Sequence, residues 1–287
     1  MSKKKSKKTS ATPFSDALRV GQGFVLDDVD TRDTPAFDGD KKAGQEALSA
    51  ADDEMDDLQE RLYAHGTSGG REKVLLLIQG LDTAGKGGIM RHVVGAVDPQ
   101  GTQITAFKAP TKEELEHPFL WRIRKALPSA GMIGVFDRSH YEDVLIVRVE
   151  ELVPKATWSR HYSTINDFEQ ELVDDDTTLI KVMLDISKDE QEERLAERLD
   201  NPEKYWKYNP GDIDARERWD DYMEAYQAIM DKTSTDAAPW FVVPADRKWY
   251  ARLAVQQLLL EHLRALDLKW PEADFDIEEE KARLAAS

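Results

Sequence analysis

Short apolar runs alternate along this chain with longer stretches whose apolar residues recur at helical spacing. Residues 74–78 (Val-Leu-Leu-Leu-Ile), 103–107, 131–136, 178–184 and 240–243 have the length and the β-branched or aromatic content of strands. The first of these is apolar at every position, the pattern of a strand buried on both faces of a parallel sheet. Between the runs, residues 45–62 place Leu48, Met55, Leu58 and Leu62 on one stripe, and residues 158–173 do the same with Trp158, Tyr162, Ile165, Phe168 and Leu172. Helices are also predicted over 88–97, 144–153, 188–199, 214–230 and 246–266. Thr111 and Glu114 form a capping-box pair that opens another, with Trp121 and Ile123 in core roles. Strand and helix in alternation predict an α/β fold, a three-layer α/β/α arrangement around a central, mainly parallel sheet. Ligands of such sheets bind beyond the carboxyl ends of the strands. The expected organisation is a basic tail (1–12), an irregular arm and helix (13–70), a core (71–270) with a lid near 199–214, and an acidic tail (271–287).

The first strand runs into Gly80-Leu-Asp-Thr-Ala-Gly-Lys86, followed by Gly87 and Gly88. Gly-x-x-x-x-Gly-Lys before a helix is the phosphate-cradling pattern of P-loop proteins. Amides of Thr83, Ala84, Gly85, Gly87 and Gly88 surround phosphate oxygens there, and Lys86 adds a mobile charge. Gly87 occupies the position where a Ser or Thr hydroxyl normally meets Mg²⁺, while Asp82 places a carboxylate inside the loop. Among phosphates, that carboxylate makes electrostatic sense if it holds a metal ion or positions a nucleophile. A second acid, Asp137, ends the run 131–136 and begins Asp137-Arg138-Ser139-His140-Tyr141-Glu142-Asp143. A hydrophobic strand ending in Asp is the second Mg²⁺-directed element of P-loop phosphotransferases. Arg138 is placed for phosphate oxygens; His140 and Tyr141 either pack or cap the next helix.

Charge changes the picture further. With 39 Lys and Arg against 56 Asp and Glu, the net charge is −17, which argues against a broad nucleic-acid-binding surface. Cations nevertheless gather beside the phosphate-loop segments: Arg91, Lys108, the patch Arg122, Arg124 and Lys125, and Arg194 and Arg198 on one helical face. Beyond these lies the aromatic, basic, twice proline-broken stretch 200–212, which carries Lys204 and Lys207 and reads as a lid. A lane of cations without repeated stacking aromatics suits a flexible inorganic polyanion better than a nucleic acid. Arg91 fits either that lane or a surface ion pair. The five lysines of the first eight residues read as a solvated tail rather than a nucleic-acid contact. Cysteine is absent, no run approaches a membrane span, and the start lacks the apolar segment of a signal peptide, so a soluble cytoplasmic protein is expected.

The serine-less, Asp-containing loop, the segment Val135-Phe-Asp-Arg-Ser-His-Tyr-Glu-Asp-Val144, and Arg194-x-x-x-Arg198 leading through Asn201-Pro-Glu-Lys-Tyr-Trp-Lys207 to Asp212 together resemble the polyphosphate kinase 2 family over residues 14–267. The resemblance implies a P-loop kinase-like fold with a helical lid. It implies transfer of a phosphoryl group between inorganic polyphosphate and nucleoside mono- or diphosphates, reversibly, with Mg²⁺ or Mn²⁺, and a homodimer or homotetramer. Asp82 and Asp137 take the metal-site positions, Lys86 and Arg138 the phosphate contacts, and Arg194, Arg198 and Lys207 the cationic lid. Glu142 stands where the branch acting on both AMP and ADP carries glutamate. Direct in-line transfer is expected, with no phosphohistidine or aspartyl intermediate. Two other readings stay open on the residues alone: an ATP-dependent P-loop kinase for a nucleotide or other small molecule, and a non-catalytic polyphosphate- or nucleotide-binding protein.

Overall fold

Five strands, β1 (Lys73–Gln79), β2 (Thr102–Ala106), β3 (Ile133–Asp137), β4 (Thr177–Asp185) and β5 (Trp240–Pro244), pair in parallel in the order β2-β3-β1-β4-β5. The computed structural model describes residues 12–287; residues 1–11, the lysine-rich part of the predicted tail, lie outside the described residues. The helices are α1 (Phe14–Leu18), α2 (Lys41–Ala50), α3 (Asp52–Thr67), α4 (Lys86–His92), α5 (Lys112–Leu115), α6 (Leu120–Lys125), α7 (Ile146–Val149), α8 (Lys155–Asp174), α9 (Lys188–Asp200), α10 (Gly211–Glu217), α11 (Trp219–Thr233), α12 (Lys248–Ala265) and α13 (Ile277–Ala285).

Central placement explains the composition of β1. Val74, Leu76 and Ile78 face a core shared with α3, α4 and α12, while Leu75 and Leu77 face one shared with α6 and α8. Either set exposed to water would forfeit burial of about 1.5–3 kcal/mol per side chain. The three-layer α/β/α fold follows, and Gln79 and Asp137 are brought to the same carboxyl-terminal edge by the β1–β3 and β1–β4 registers.

Where elements differ from their sequence-based spans, a tertiary contact is at work. The predicted helix 45–62 is two helices meeting at Ala51. Gln256 of α12 donates there to Leu48 O (3.0 Å) and Asp52 Oδ1 (2.9 Å), satisfying the end of one helix and bracing the start of the next. The predicted helix 214–230 is broken at Arg218, whose guanidinium is drawn to Glu150 (3.3 Å) and Asp221 (3.1 Å). The stretch 144–153 contains only the single turn of α7, and α4 begins at Lys86 and stops at His92 rather than spanning 88–97. The Thr111–Glu114 capping box is present and opens α5. Ile123 is buried, but Trp121 is half-exposed and stacks on His117 at 4.1 Å.

The arm ahead of the core lies along it through specific contacts. Glu261 accepts from the amides of Phe14 (2.8 Å) and Ser15 (2.9 Å), Gln227 donates to Phe24 O (2.9 Å), and Tyr250 donates to Pro35 O (2.7 Å). Asp246, just past β5, accepts from Thr31 Oγ1 (2.9 Å) and Ser187 N (2.8 Å). Among the described residues no helix is long and apolar enough to cross a membrane.

Two consequences for stability follow. A Cβ on Gly66 in α3 would sit 2.5 Å from Gly131 Cα, itself at φ 80°, so backbone rather than a flexible side chain would have to move. Gly66→Ala is expected to lower the unfolding free energy by about 1–3 kcal/mol in urea titration, whereas Gly21→Ala, open to solvent, should change it by less than about 0.5 kcal/mol. Burial and then the neighbouring Asp246 and Asp27 raise the Asp185 carboxyl from 3.8 to about 7. Between those values the unfolded chain has released this proton and the folded one retains it, so this carboxyl's contribution to stability falls as pH rises through the window. Asp185→Asn should therefore be more stable than the parent at pH 8, by about 2–4 kcal/mol in thermal or urea unfolding, with the difference vanishing near pH 4.

Candidate active site

Beyond β1 the backbone turns at Gly80 (φ 151°), where an added Cβ would lie 2.8 Å from Leu184 O on β4. Thr83 (φ 67°) and Gly85 (φ 120°) also sit at positive φ, and the loop so wound delivers Lys86 as the first residue of α4. Gly88 and Ile89 donate back to Gly85 O (2.7 and 3.2 Å), so the amides of Lys86 and Gly87 stand at the helix start, where no intrahelical acceptor exists. Lys86 Nζ donates to Gly80 O (2.6 Å) and Leu81 O (3.2 Å). Burial lowers its pKa, against the pull of Asp82.

Asp82 faces Arg138, whose Nη2 donates to Asp82 Oδ1 at 2.9 Å. Arg138 follows directly on β3 and holds φ 62°, a sparsely populated conformation for a residue with a side chain. Glu142, four residues on, is half-buried in the wall of the site; desolvation raises its pKa while Arg138 and Lys86 draw it back down.

Two cavities meet at Asp82. One, of about 820 Å³, is lined by the loop from Asp82 to Gly88, by Arg91, His92 and Asp137, by Arg194, Glu197 and Arg198 of α9, by Lys204, Trp206 and Lys207 of the 3₁₀ segment Pro202–Lys207, and by Lys248 and Arg252 of α12. Eight Lys or Arg side chains face three carboxylates in it, so its lining is electrostatically suited to a polyanion. The other, of about 360 Å³, has Gly80, Asp82, Arg138 and Glu142 on one side and Glu150, Asp212, Asp214, Trp219, Tyr222 and Tyr226 on the other. Acids and aromatics dominate this second space.

Several sequence-predicted cations are engaged elsewhere. Arg194 is buried, and its donors go to Glu190 Oε1 (2.7 Å), Thr83 O (2.9 Å), Ala84 O (3.1 Å), Ala245 O (2.7 Å) and Asp246 O (2.9 Å); it braces the loop and has little capacity left for a phosphate. Arg124 pairs with Glu171 (2.6 Å) over the Phe168 ring, Lys125 lies 4.0 Å above Trp121, and Arg122 donates to Lys108 O (2.8 Å) over Phe107. These four residues, Lys108 included, line neither cavity. The cations of this patch pack on aromatic rings away from both cavities. Arg198 donates to Lys207 O (2.9 Å) and Asp212 Oδ2 (3.0 Å), tying the segment 202–212 to α9, and Lys204 pairs with Glu197.

Sequence reasoning passed over Lys248, Arg252, His92 and Glu197. Lys248 and Arg252 stand one turn apart on α12, immediately past the carboxyl end of β5. The rule that directed attention to Asp137 after β3 applies equally to them. Arg252 lies among like charges: burial, then Arg91 and Arg194, push its pKa down. An anion there would relieve the crowding.

Among the described residues no group of three or more His, Asp or Glu side chains is arranged to hold a metal ion. The donor set nevertheless fits a hard cation that takes one or two carboxylates plus substrate oxygens, as Mg²⁺ does. Asp137 Oδ1 is buried without a hydrogen-bond partner and lines the same cavity as Asp82. An orphaned carboxylate oxygen is costly unless something positive meets it.

Comparison with known proteins identifies the family. Residues 38–270 match the family model for polyphosphate kinase 2. The chain is 45% identical over 251 residues to the AMP/ADP-polyphosphate phosphotransferase of Meiothermus ruber, covering 88% of this chain and 92% of that one. It is 42% identical over 269 residues to the ADP-polyphosphate phosphotransferase of Rhodopseudomonas palustris, covering 89% and 91%. The crystal structure of polyphosphate kinase 2 from Arthrobacter aurescens superposes with a TM-score of 0.95 at 56% identity, over 96% of this chain and 98% of that one. With residues 38–270 matched by the family model and nearly its whole length shared with these proteins, the chain is an enzyme of the polyphosphate kinase 2 family.

Proposed function

We propose that this enzyme transfers phosphoryl groups between inorganic polyphosphate and AMP or ADP, in either direction, with polyphosphate in the larger cavity and the nucleotide in the smaller. The observation that carries this reading is the contrast between the two cavities across one shared residue, Asp82. A chain of phosphates is favoured among eight cations and repelled from the side holding Glu142, Glu150, Asp212 and Asp214. Ribose hydroxyls and an adenine amino group are donors, which suits them to those carboxylates, and Trp219 and Tyr222 offer a surface for the base. Only the nucleotide's phosphates need then reach Arg138 and Asp82.

At the junction, Lys86 and the loop amides hold donor phosphates, and Arg138 meets the oxygens of the acceptor. Asp82 and Asp137 are the residues that would hold Mg²⁺ or Mn²⁺. When bound, that ion neutralises charge on the phosphates being brought together. Lys204, Trp206 and Lys207 cover the larger cavity from the lid side and limit access of water, which would otherwise accept the phosphoryl group. Arg194 keeps Thr83 and Ala84 in place under this load. The absence of cysteine supports a cytoplasmic setting.

The activity is tested by following ADP and ATP formed from AMP and ADP with polyphosphate and Mg²⁺, alongside ATP as an alternative donor. Failure to form product from polyphosphate with either acceptor overturns the proposal. In the same assay, Asp82→Asn should lower kcat by about 100-fold or more with its melting temperature within a few degrees of the parent, since the group acts on the reacting phosphates rather than on packing. Arg252→Ala should raise the polyphosphate KM by about tenfold, leave the ADP KM within about twofold, and weaken the salt dependence of the polyphosphate KM. Equal effects on both KM values would move Arg252 out of the donor lane.

A further inference from the structure

A buried ionic cluster lies behind the segment that follows β3, and nothing in phosphoryl transfer requires it directly. Lys181, in the middle of β4, is fully buried and donates to Glu169 Oε2 (2.6 Å), Thr233 O (2.6 Å) and Tyr141 Oη (3.1 Å). Its ammonium also lies over the rings of Tyr141 (5.5 Å) and Trp240 (5.3 Å). Glu169 of α8, equally buried, accepts at Oε1 from Tyr141 Oη (2.7 Å) and faces His140 Nε2 (3.2 Å). Burial lowers the His140 pKa, so the imidazole is neutral; Nε2 then carries the proton toward Glu169, and Nδ1 is left buried without a partner. One carboxylate and one ammonium thus balance, and the remaining lone pairs of Glu169 are spent on residues 140 and 141.

Those two residues belong to a five-residue segment with a divided orientation. Arg138 and Glu142 line the smaller cavity, whereas Ser139, His140 and Tyr141 are buried on the other side. Ser139 Oγ accepts from Tyr141 N (3.3 Å). The Gln79 amide satisfies both its neighbours with its NH₂ toward Glu142 Oε1 (3.1 Å) and its oxygen toward Ser139 Oγ (3.0 Å) and N (3.2 Å). Arg138, at φ 62°, is the strained link between β3 and this segment. A strained residue keeps its conformation only when both flanks are held. The β1–β3 ladder holds one flank; the buried cluster holds the other.

We infer that Glu169, Lys181 and the Tyr141 hydroxyl are positioning residues for the nucleotide acceptor, aiming Arg138 and Glu142 into the smaller cavity. Simple stability is a poor explanation of the pair, because buried ion pairs are commonly neutral or unfavourable against apolar residues of similar volume. What a directional, multiply hydrogen-bonded pair adds is a fixed orientation of the groups it holds.

The inference rests on the assignment of the smaller cavity to the nucleotide, and the test separates the two. Tyr141→Phe keeps the ring against Trp240 and removes only the hydroxyl; Glu169→Leu combined with Lys181→Met removes both charges without leaving either unpaired. Steady-state kinetics with AMP and ADP, at varied polyphosphate, should show kcat/KM for the nucleotide down by about tenfold in each variant, with the polyphosphate KM within about twofold of the parent. Thermal unfolding of each variant identifies those that fold, and Tyr141→Phe decides should the double variant not fold. Unchanged kinetics in a folded variant, or an equal rise in both KM values, overturns the inference and leaves the cluster a packing feature. Arg138→Lys and Glu142→Gln run beside them: if these raise the nucleotide KM and Tyr141→Phe does not, the inference fails while the cavity assignment stands. If none of the four alters the nucleotide KM, the cavity assignment itself fails.

Discussion

The phosphate loop holds its shape because Arg194 ties it to the far edge of the sheet. Its guanidinium donates to Thr83 O and Ala84 O on one side and to Ala245 O and Asp246 O on the other, with Glu190 fixing the fork. The planar five-donor geometry of arginine allows one side chain to satisfy four carbonyls from two separate loops and a carboxylate, more acceptors than the three donors of a lysine can meet. Loops of this kind must present amides outward and therefore leave their carbonyls facing inward. Without a buried donor, those carbonyls would be an uncompensated cost. Asp82, Lys86 and the two cavities are all placed relative to this braced loop.

From that placement comes a separation of charge that net composition conceals. A protein carrying −17 overall gathers eight cations on one side of Asp82 and acids with aromatics on the other. The two substrates of a polyphosphate-dependent kinase are both anionic, so attraction alone cannot sort them. Sorting needs a repulsive element, and on the proposed assignment the carboxylates of the smaller cavity would supply it. Arg138 stands at the boundary, paired with Asp82 and at a sparsely populated φ of 62°.

Much of this was legible in the chain. The glycines at 80 and 85, the aspartates at 82 and 137 and the lysine at 86 occupy positions whose chemistry follows from local sequence: a turn too tight for a side chain, strand ends at the ligand edge, an amine at a helix start. The strands were legible for the same reason, since burial on both faces of a parallel sheet leaves an unbroken apolar run. Helix 158–173 was readable from its spacing. Residues 45–62 and 214–230 were less so, because Gln256 and Arg218 act on them from outside their own periodicity.

Side-chain partnership was not legible. Arg122, Arg124 and Lys125 have the composition of a ligand lane, yet their faces meet Phe107, Phe168 and Trp121 instead. Arg194 sits beside Arg198 on the helix, but one is consumed by backbone carbonyls and the other ties Lys207 and Asp212 to the helix. Lys181 reads as an interruption in a strand until Glu169, twelve residues earlier on α8, is packed against it. By itself, then, the sequence determined the fold class, the phosphate loop and its two acids, because each depends on residues adjacent in the chain or on a period of two or 3.6. Which cations are free to meet a substrate was decided only by tertiary structure, because an ion's availability depends on what else lies within a few ångströms of it, and those neighbours come from every part of the chain.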